Sequence, residues 1–209
     1  MRVGILAGQG DFEAHAKTLA HMGADYVFVR TPGDLDGVDA VILPGGESTT
    51  QWKFLVEEGL DKSLLAHAEK GGAIFGTCAG AILLAREVRN PEQQSLGLVD
   101  ITVIRNAYGR QLASEVRHGA TAISAEPIEM VFIRAPIIER VGPAVEVLAK
   151  SEGQPVLIRQ GRILIATFHP ELTSDARVHE YFLRMASENG SASVKNDPLL
   201  NLAGSGKEL

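Results

Sequence analysis

Residues 73–82 read Ala73-Ile74-Phe75-Gly76-Thr77-Cys78-Ala79-Gly80-Ala81-Ile82. A short apolar run leads into Gly-x-Cys-x-Gly, and small residues at helical spacing follow. This is the pattern of a nucleophile elbow, in which a strand turns sharply into a helix and pushes one reactive side chain out above a sheet. The flanking glycines are needed because the turn crowds backbone against backbone and strains the central residue. Cys78 is the only cysteine in the chain. At a helix N-terminus, unpaired N–H groups and the macrodipole favour its thiolate. The competing interpretation is a buried structural cysteine acting as a small hydrophobe.

An elbow needs a strand feeding a helix, and the surrounding sequence supplies both repeatedly. Val3-Gly4-Ile5-Leu6 reads as a first strand. Phe12, Ala16, Leu19 and Ala20 then fall at helical spacing, with Gly23 as a stop. Tyr26–Val29 and Ala40–Leu43 read as further strands, the latter ending at Pro44-Gly45-Gly46. Trp52, Leu55, Val56, Leu60, Leu64, Leu65 and Ala68 continue as helix, and Ala73–Phe75 is the strand of the elbow. Continuous apolar strands interleaved with helices indicate a parallel sheet covered on both faces, hence a three-layer α/β/α architecture. Beyond Pro91 the pattern changes. Leu98–Ile104 and Ile128–Ile133 alternate like half-buried strands, and Val156–Arg159 with Arg162–Phe168 flank a hairpin turn at Gln160-Gly161. The sheet is therefore expected to be mixed, mostly parallel at its centre, with antiparallel additions. Val178, Phe182 and Met185 mark a last amphipathic helix. From about Ser187 large apolar residues become scarce, so residues 1–186 read as one domain and 187–209 as a mobile tail.

A chain of 209 residues with a net charge of −6 argues against an electrostatic nucleic-acid binder. One cysteine cannot close an internal disulfide, which makes a reducing cytoplasm the natural compartment. No stretch approaches the roughly 18 apolar residues of a membrane span, and the opening apolar run is too short for a signal peptide.

A cysteine nucleophile needs a base, and the base needs an orienting partner. His15, His21, His67, His118 and His179 sit in helical or polar stretches where a solvated or capping role is expected. His169 differs: it ends the apolar run Ile163–Phe168 and is followed by Pro170-Glu171. A residue just past the carboxyl end of a central strand faces the ligand crevice of an α/β sheet. Cys78 also follows such an end, so the two can meet, with Glu171 orienting the imidazole. Acyl transfer also needs donors for an oxyanion. The N–H of Ala79 is one expected donor, and Gly46 in the loop Pro44-Gly45-Gly46-Glu47-Ser48-Thr49 is the other. That loop lacks the Lys-Ser/Thr ending of a phosphate-binding loop, and Gly8-Gln9-Gly10 is only a partial dinucleotide fingerprint.

Gly76-Thr77-Cys78-Ala79-Gly80 with His169-Pro170-Glu171 resembles the class I, triad-type glutamine amidotransferases, which have a flavodoxin-like fold. Leu6–Gly10, Leu43–Thr50, Arg105-Asn106-Ala107-Tyr108-Gly109-Arg110-Gln111, Phe132–Pro136 and Phe168–Thr173 are similar to the glutaminase subunits of pyridoxal 5'-phosphate synthases. That resemblance implies L-glutamine hydrolysis to glutamate and ammonia by a Cys78-His169-Glu171 triad through a γ-glutamyl thioester. It implies Gly46, Glu47, Ser48, Arg105, Ile133 and Arg134 around the glutamine, and Gln9 at a partner-facing mouth. It further implies ammonia transfer to a barrel-shaped synthase subunit within a large hetero-oligomer, no metal and no organic cofactor. The nearest alternative is the glutaminase of another class I amidotransferase, such as imidazole glycerol phosphate synthase, which should lack the Arg-Asn-x-x-Gly-Arg-Gln segment. A cysteine peptidase, a glyoxalase-like protein and a non-catalytic docking module are the remaining alternatives.

Overall fold

The computed structural model describes residues 1–105 and 114–188. In chain order the elements are β1 (Arg2–Leu6), α1 (Phe12–His21), β2 (Asp25–Val29), β3 (Ala40–Leu43), α2 (Ser48–Glu57), α3 (Leu60–Glu69), β4 (Ala73–Thr77), α4 (Ala79–Leu84), β5 (Ala85–Arg89), β6 (Val99–Ile104), β7 (Glu115–Thr121), β8 (Ser124–Phe132), β9 (Ile137–Val141), β10 (Glu146–Ser151), β11 (Gln154–Gln160), β12 (Ile163–Ala166) and α5 (Arg177–Ser187). Single 3₁₀ turns occupy Pro32–Leu35 and Pro170–Leu172.

Nine strands form one sheet in the order β2-β1-β3-β4-β12-β11-β10-β7-β8. Its first five strands run parallel, and the rest add antiparallel. This is the expected mixed α/β sheet with a parallel half and antiparallel additions. Alternate side chains of the parallel strands serve opposite faces, as the strand period requires. Val3, Ile5, Ala40, Ile42 and Phe75 pack with α1 and α5, through Ala16, Leu19, Val178, Phe182 and Met185. Leu6, Val41, Leu43 and Ile74 pack with α2, α3 and α4, through Leu55, Leu60, Leu64 and Leu83. Helices on both faces make the three layers. No helix among the described residues is long and apolar enough to cross a membrane.

Several local expectations are corrected. The helical run from Trp52 to Ala68 is two helices, because the chain turns at Gly59 with a left-handed φ of 70°. Strands β5, β7, β9 and β10 are not legible in the sequence, and β5, β6 and β9 form a separate three-stranded sheet. The tail expected from residue 187 lies, beyond Glu188, outside the described residues, as do Asn106 to Gln111.

At the elbow, a Cβ on Gly76 would stand 2.8 Å from the backbone of Gly80, and a Cβ on Gly80 would strike the carbonyl oxygen of Leu43 in β3. Helix α4 can therefore lie against the sheet only if residue 80 has no side chain. Gly80→Val should destabilise the fold by about 3 kcal/mol or more, since the obstacle is backbone and cannot rotate away. Denaturant unfolding with a lowered midpoint and an unchanged m-value is the expected signature. A midpoint equal to that of the wild type would mean that the contact is looser than described.

Candidate active site

Cys78 stands between β4 and α4 with φ 46° and ψ −99°, a conformation that non-glycine residues adopt only under constraint. The constraint is visible. Its N–H donates to Ala166 O on the adjacent parallel strand β12 at 2.9 Å. The same register brings the end of β12 beside the elbow, so that His169 and Cys78 meet although they are distant in sequence. His169 N–H donates to Val131 O at 2.8 Å, which ties the end of β8 to the same place. The Cys78 Sγ lies 3.9 Å from Ile133 O.

The His169 Nδ1 is 2.7 Å from Glu171 Oε1. Glu171 is an acceptor when ionised, so Nδ1 carries the proton and the other ring nitrogen is free for Cys78. Both residues are buried. Burial opposes an imidazolium, but hydrogen bonds to Cys78 and Glu171, with the charges of both, outweigh it and raise His169 to about 10. Burial also raises Glu171, and its hydrogen bond to His169 works against that rise. Asp11, just ahead of α1, places a second carboxylate 3.5 Å from Nδ1. Ligand atoms of Asp11, His169 and Glu171 lie within 4.8 Å of one another. The ring nitrogen they share is already committed to Glu171, so the donor set suits acid–base work better than a metal centre.

A cavity of about 340 Å³ opens above the elbow. Its wall includes Cys78, Ala79 and His169, the loop residues Gly46, Glu47 and Ser48, and Gln9, Arg105, Ile133 and Arg134. Every candidate site residue from the sequence is therefore brought to one cavity except Glu171, which stands behind His169. Glu47 caps α2. Its carboxylate accepts from the N–H groups of Thr49 and Thr50 and from both hydroxyls, and Arg105 approaches it at 3.5 Å. Burial would raise this carboxyl, but those hydrogen bonds prevail and hold it at about 2. The Ser48 hydroxyl donates to Gln93 at 2.9 Å. Arg134 is exposed and held at φ 46°.

Gly46 has φ 147°, and a Cβ there would lie 2.7 Å from Gln9 Oε1. Gln9 Oε1 in turn accepts from Glu47 N–H at 3.0 Å. The Gln51 amide nitrogen reaches the carbonyls of Gln9, Pro44 and Gly45 at 3.1–3.3 Å. Sequence reasoning missed Gln51 and Asp11. A polar residue three positions after Ser48 and four before Leu55, on the buried face of α2, was the available signal for Gln51.

Two histidine expectations are overturned. His15 and His179 are fully buried rather than solvated. The inward stripe of α1 is His15, Ala16 and Leu19, with Ala20 exposed. His15 turns inward because polar partners wait there: Thr77 Oγ1 at 3.1 Å and His179 Nε2 at 2.9 Å. Burial holds both rings neutral, with His179 down at about 4 and His15 well below its ordinary value.

A strand–helix elbow bearing cysteine, with a His–Glu pair at the end of the neighbouring parallel strand, is the arrangement expected of a class I glutamine amidotransferase. Comparison with known proteins agrees. Residues 5–188 match the SNO glutamine amidotransferase family, and the chain belongs to that family. It is 51% identical over 195 residues to the pyridoxal 5'-phosphate synthase subunit PdxT of Koribacter versatilis, covering 93% of this chain and all of that one. The subunit of the same name from Thermotoga neapolitana is 48% identical over 186 residues, 88% of this chain and 99% of the relative. Among solved structures, a glutamine amidotransferase superposes with a TM-score of 0.84 at 47% identity, covering 88% of this chain and 98% of that one. A putative GMP synthase protein of Thermoplasma acidophilum superposes at 0.66 with 18% identity, over 89% and 94% of the two chains, which shows a shared fold.

The buried neutral histidines make stability depend on pH. A group whose folded pKa is depressed stabilises the fold above its unfolded pKa, and that stability is lost as pH falls toward the folded value. For His179 the window runs from about 6.5 down to about 4, a loss of roughly 2 kcal/mol by pH 5. Unfolding midpoints in denaturant should therefore fall between pH 7 and pH 5, and fall less steeply in His179→Leu. Equal slopes in the two proteins would show that His179 is not the group responsible.

Proposed function

We propose that residues 1–186 form the glutaminase domain of a pyridoxal 5'-phosphate synthase. The observation that carries this reading is the 2.7 Å His169–Glu171 bond beside a cysteine on a strained elbow. The naming of the relatives supports the assignment to pyridoxal 5'-phosphate synthesis. The Cys78 thiolate attacks the side-chain carboxamide carbon of L-glutamine. The N–H groups of Ala79 and Gly46 hold the oxyanion. His169 protonates the departing ammonia, leaving a γ-glutamyl thioester on Cys78. A water deprotonated by His169 attacks that thioester, and glutamate leaves as the thiolate is restored. Glu171 keeps Nδ1 protonated and stabilises the imidazolium.

The free amino acid also presents an α-carboxylate and an α-ammonium. Arg105 and Arg134 supply cations for the first, and Glu47, anionic at neutral pH, suits the second. Gly46, Ser48 and Ile133 complete the wall. The ammonia passes to the synthase, a barrel-shaped subunit in a large hetero-oligomer, and Gln9 lies at the mouth facing it. Docking sets the Gly45-Gly46 loop, so the chain alone is a poor glutaminase. A reducing cytoplasm, which keeps the single thiol free, is the compartment this reading assigns.

The chain alone should release glutamate slowly, the cognate synthase subunit should accelerate release, and Cys78→Ala should abolish it. Full activity without the partner, or activity surviving Cys78→Ala, would refute the mechanism. Arg105→Leu should raise KM for glutamine by about tenfold or more with a smaller change in kcat, because a charge-assisted contact to bound substrate is lost. An unchanged KM would remove Arg105 from the substrate site.

A further inference from the structure

Behind the His169–Glu171 pair lies a polar cluster that the proposed reaction does not use. His15 from α1, Thr77 from β4 and His179 from α5 are all fully buried. The two imidazoles stand edge-on to Phe75, with centroids 6.1 and 5.7 Å from its ring, and Phe182 packs on the same ring. Fully buried histidines in such surroundings are costly unless each nitrogen has a use. His15 Nδ1 faces His179 Nε2 at 2.9 Å, and His15 Nε2 faces Thr77 Oγ1 at 3.1 Å and Glu171 Oε2 at 3.5 Å. Four buried side-chain atoms among the described residues lack a hydrogen-bond partner, and two of them, Glu171 Oε2 and His179 Nδ1, border this cluster.

Counting donors and acceptors fixes the protons. Suppose His15 carries its proton on Nδ1 and donates to His179. His179 Nδ1 is then a buried N–H with no acceptor, and the bare Nε2 of His15 points its lone pair at a carboxylate. The opposite arrangement has neither fault. His179 Nε2–H donates to His15 Nδ1, and His15 Nε2–H points at Thr77 and the free oxygen of Glu171. A bare lone pair on His179 Nδ1 is the only remainder, and an unfilled acceptor is the more commonly tolerated defect.

We propose that His15 is a positioning residue for the glutaminase reaction: its Nε2–H faces Glu171 Oε2, fixing the carboxylate so that Oε1 receives His169 Nδ1–H, while His179 sets the tautomer of His15. The inference rests on the glutaminase reading above. Three titratable groups bear on Glu171, namely His169 on its own turn, Asp11 from the loop before α1 and His15 from α1, while Cys78 stands beside His169 and His179 behind His15. Loss of the His15 donor leaves Glu171 Oε2 with nothing facing it, so the carboxylate is free to turn and Oε1 is no longer held on His169 Nδ1–H. His169 is then misplaced as the partner of Cys78.

The test compares His15→Leu, which removes the donor, with His15→Gln, whose amide N–H can reach the Nε2 position. In the complex with the synthase subunit, His15→Leu should lower kcat by about tenfold to a hundredfold, the scale of a misplaced catalytic group. KM for glutamine should stay within about twofold, because His15 does not line the substrate cavity. In the full chain alone, Cys78 carboxamidomethylation by iodoacetamide across a pH series should be slower at neutral pH than in the wild type, because the misplaced His169 assists the thiol less. His15→Gln should restore most of both properties, and His179→Leu should fall between. An unchanged kcat and alkylation profile in His15→Leu would overturn the proposal, as would a His15→Gln protein impaired as badly as His15→Leu. If His15→Leu does not fold, His15→Asn serves in its place: its shorter amide should be impaired where His15→Gln is not, and equal behaviour overturns the proposal. A wild type that releases no glutamate with its partner would sink the glutaminase reading instead, and the alkylation profiles would still decide the role of His15.

Discussion

The hydrogen bond from Cys78 N–H to Ala166 O is the contact on which the site depends. It continues the parallel ladder of β4 and β12 one residue past the end of the strand. The Cys78 backbone is therefore held by the sheet while its side chain leaves it. The left-handed φ of 46° at Cys78 is tolerated because the ladder, the glycines at 76 and 80 and the packing of α4 determine it together. Without that register His169 would not stand beside the thiol, since each residue follows its own strand and nothing else in the sequence links them. Residues at the carboxyl ends of adjacent parallel strands make a crevice in any α/β sheet. Here the elbow and the turn after β12 supply the reactive groups of that crevice.

Burial and hydrogen bonding compete at every ionisable group near this crevice, and the outcome differs by position. At His169 the contacts win, and the imidazolium is favoured. At His179 burial has no opponent, and the ring stays neutral. At Glu47 four hydrogen bonds from one helix N-terminus overcome a modest burial and keep the carboxylate charged. Three groups within one small region are thus fixed in three different states by partner count more than by depth, and a site that must hold a proton at one atom and exclude it from another needs that division.

The parallel half of the fold was legible because its strands are short, apolar and β-branched, and its helices carry a clear stripe. Both signals are local. The antiparallel half was legible only in part: β8 and the hairpin of β11 and β12 were read, but β7 is Glu-Val-Arg-His-Gly-Ala-Thr and β10 Glu-Val-Leu-Ala-Lys-Ser, and such polar strands are defined by their neighbours rather than by their composition. Much the same holds at the site. Cys78, His169 and Glu171 announce themselves through turn chemistry and chain order. His15 does not, because a histidine one position off an apolar stripe looks like a surface residue until Thr77 and His179 are found beneath it. Asp11 and Gln51 were hidden for a similar reason, since each acts by touching a loop that is remote in sequence.

The two halves of the site are supported unequally. The elbow, His169 and Glu171 rest on sheet register and on a packed core, which resist small displacements. The loop carrying Gly46 is held differently, by Gln9 Oε1 on Glu47 N–H and by one amide of Gln51 shared among three carbonyls. Side-chain hydrogen bonds of this kind contribute only about 1 kcal/mol each in net terms, and a glycine at φ 147° has wide freedom to turn its peptide over. That loop is therefore easier to re-set than the elbow. On the reading proposed above, dependence on a partner falls on the loop of Gly46, with Cys78 and His169 already in place. The polar cluster of His15, Thr77 and His179 lies under the rigid half, where a positioning contact has a fixed target to act on.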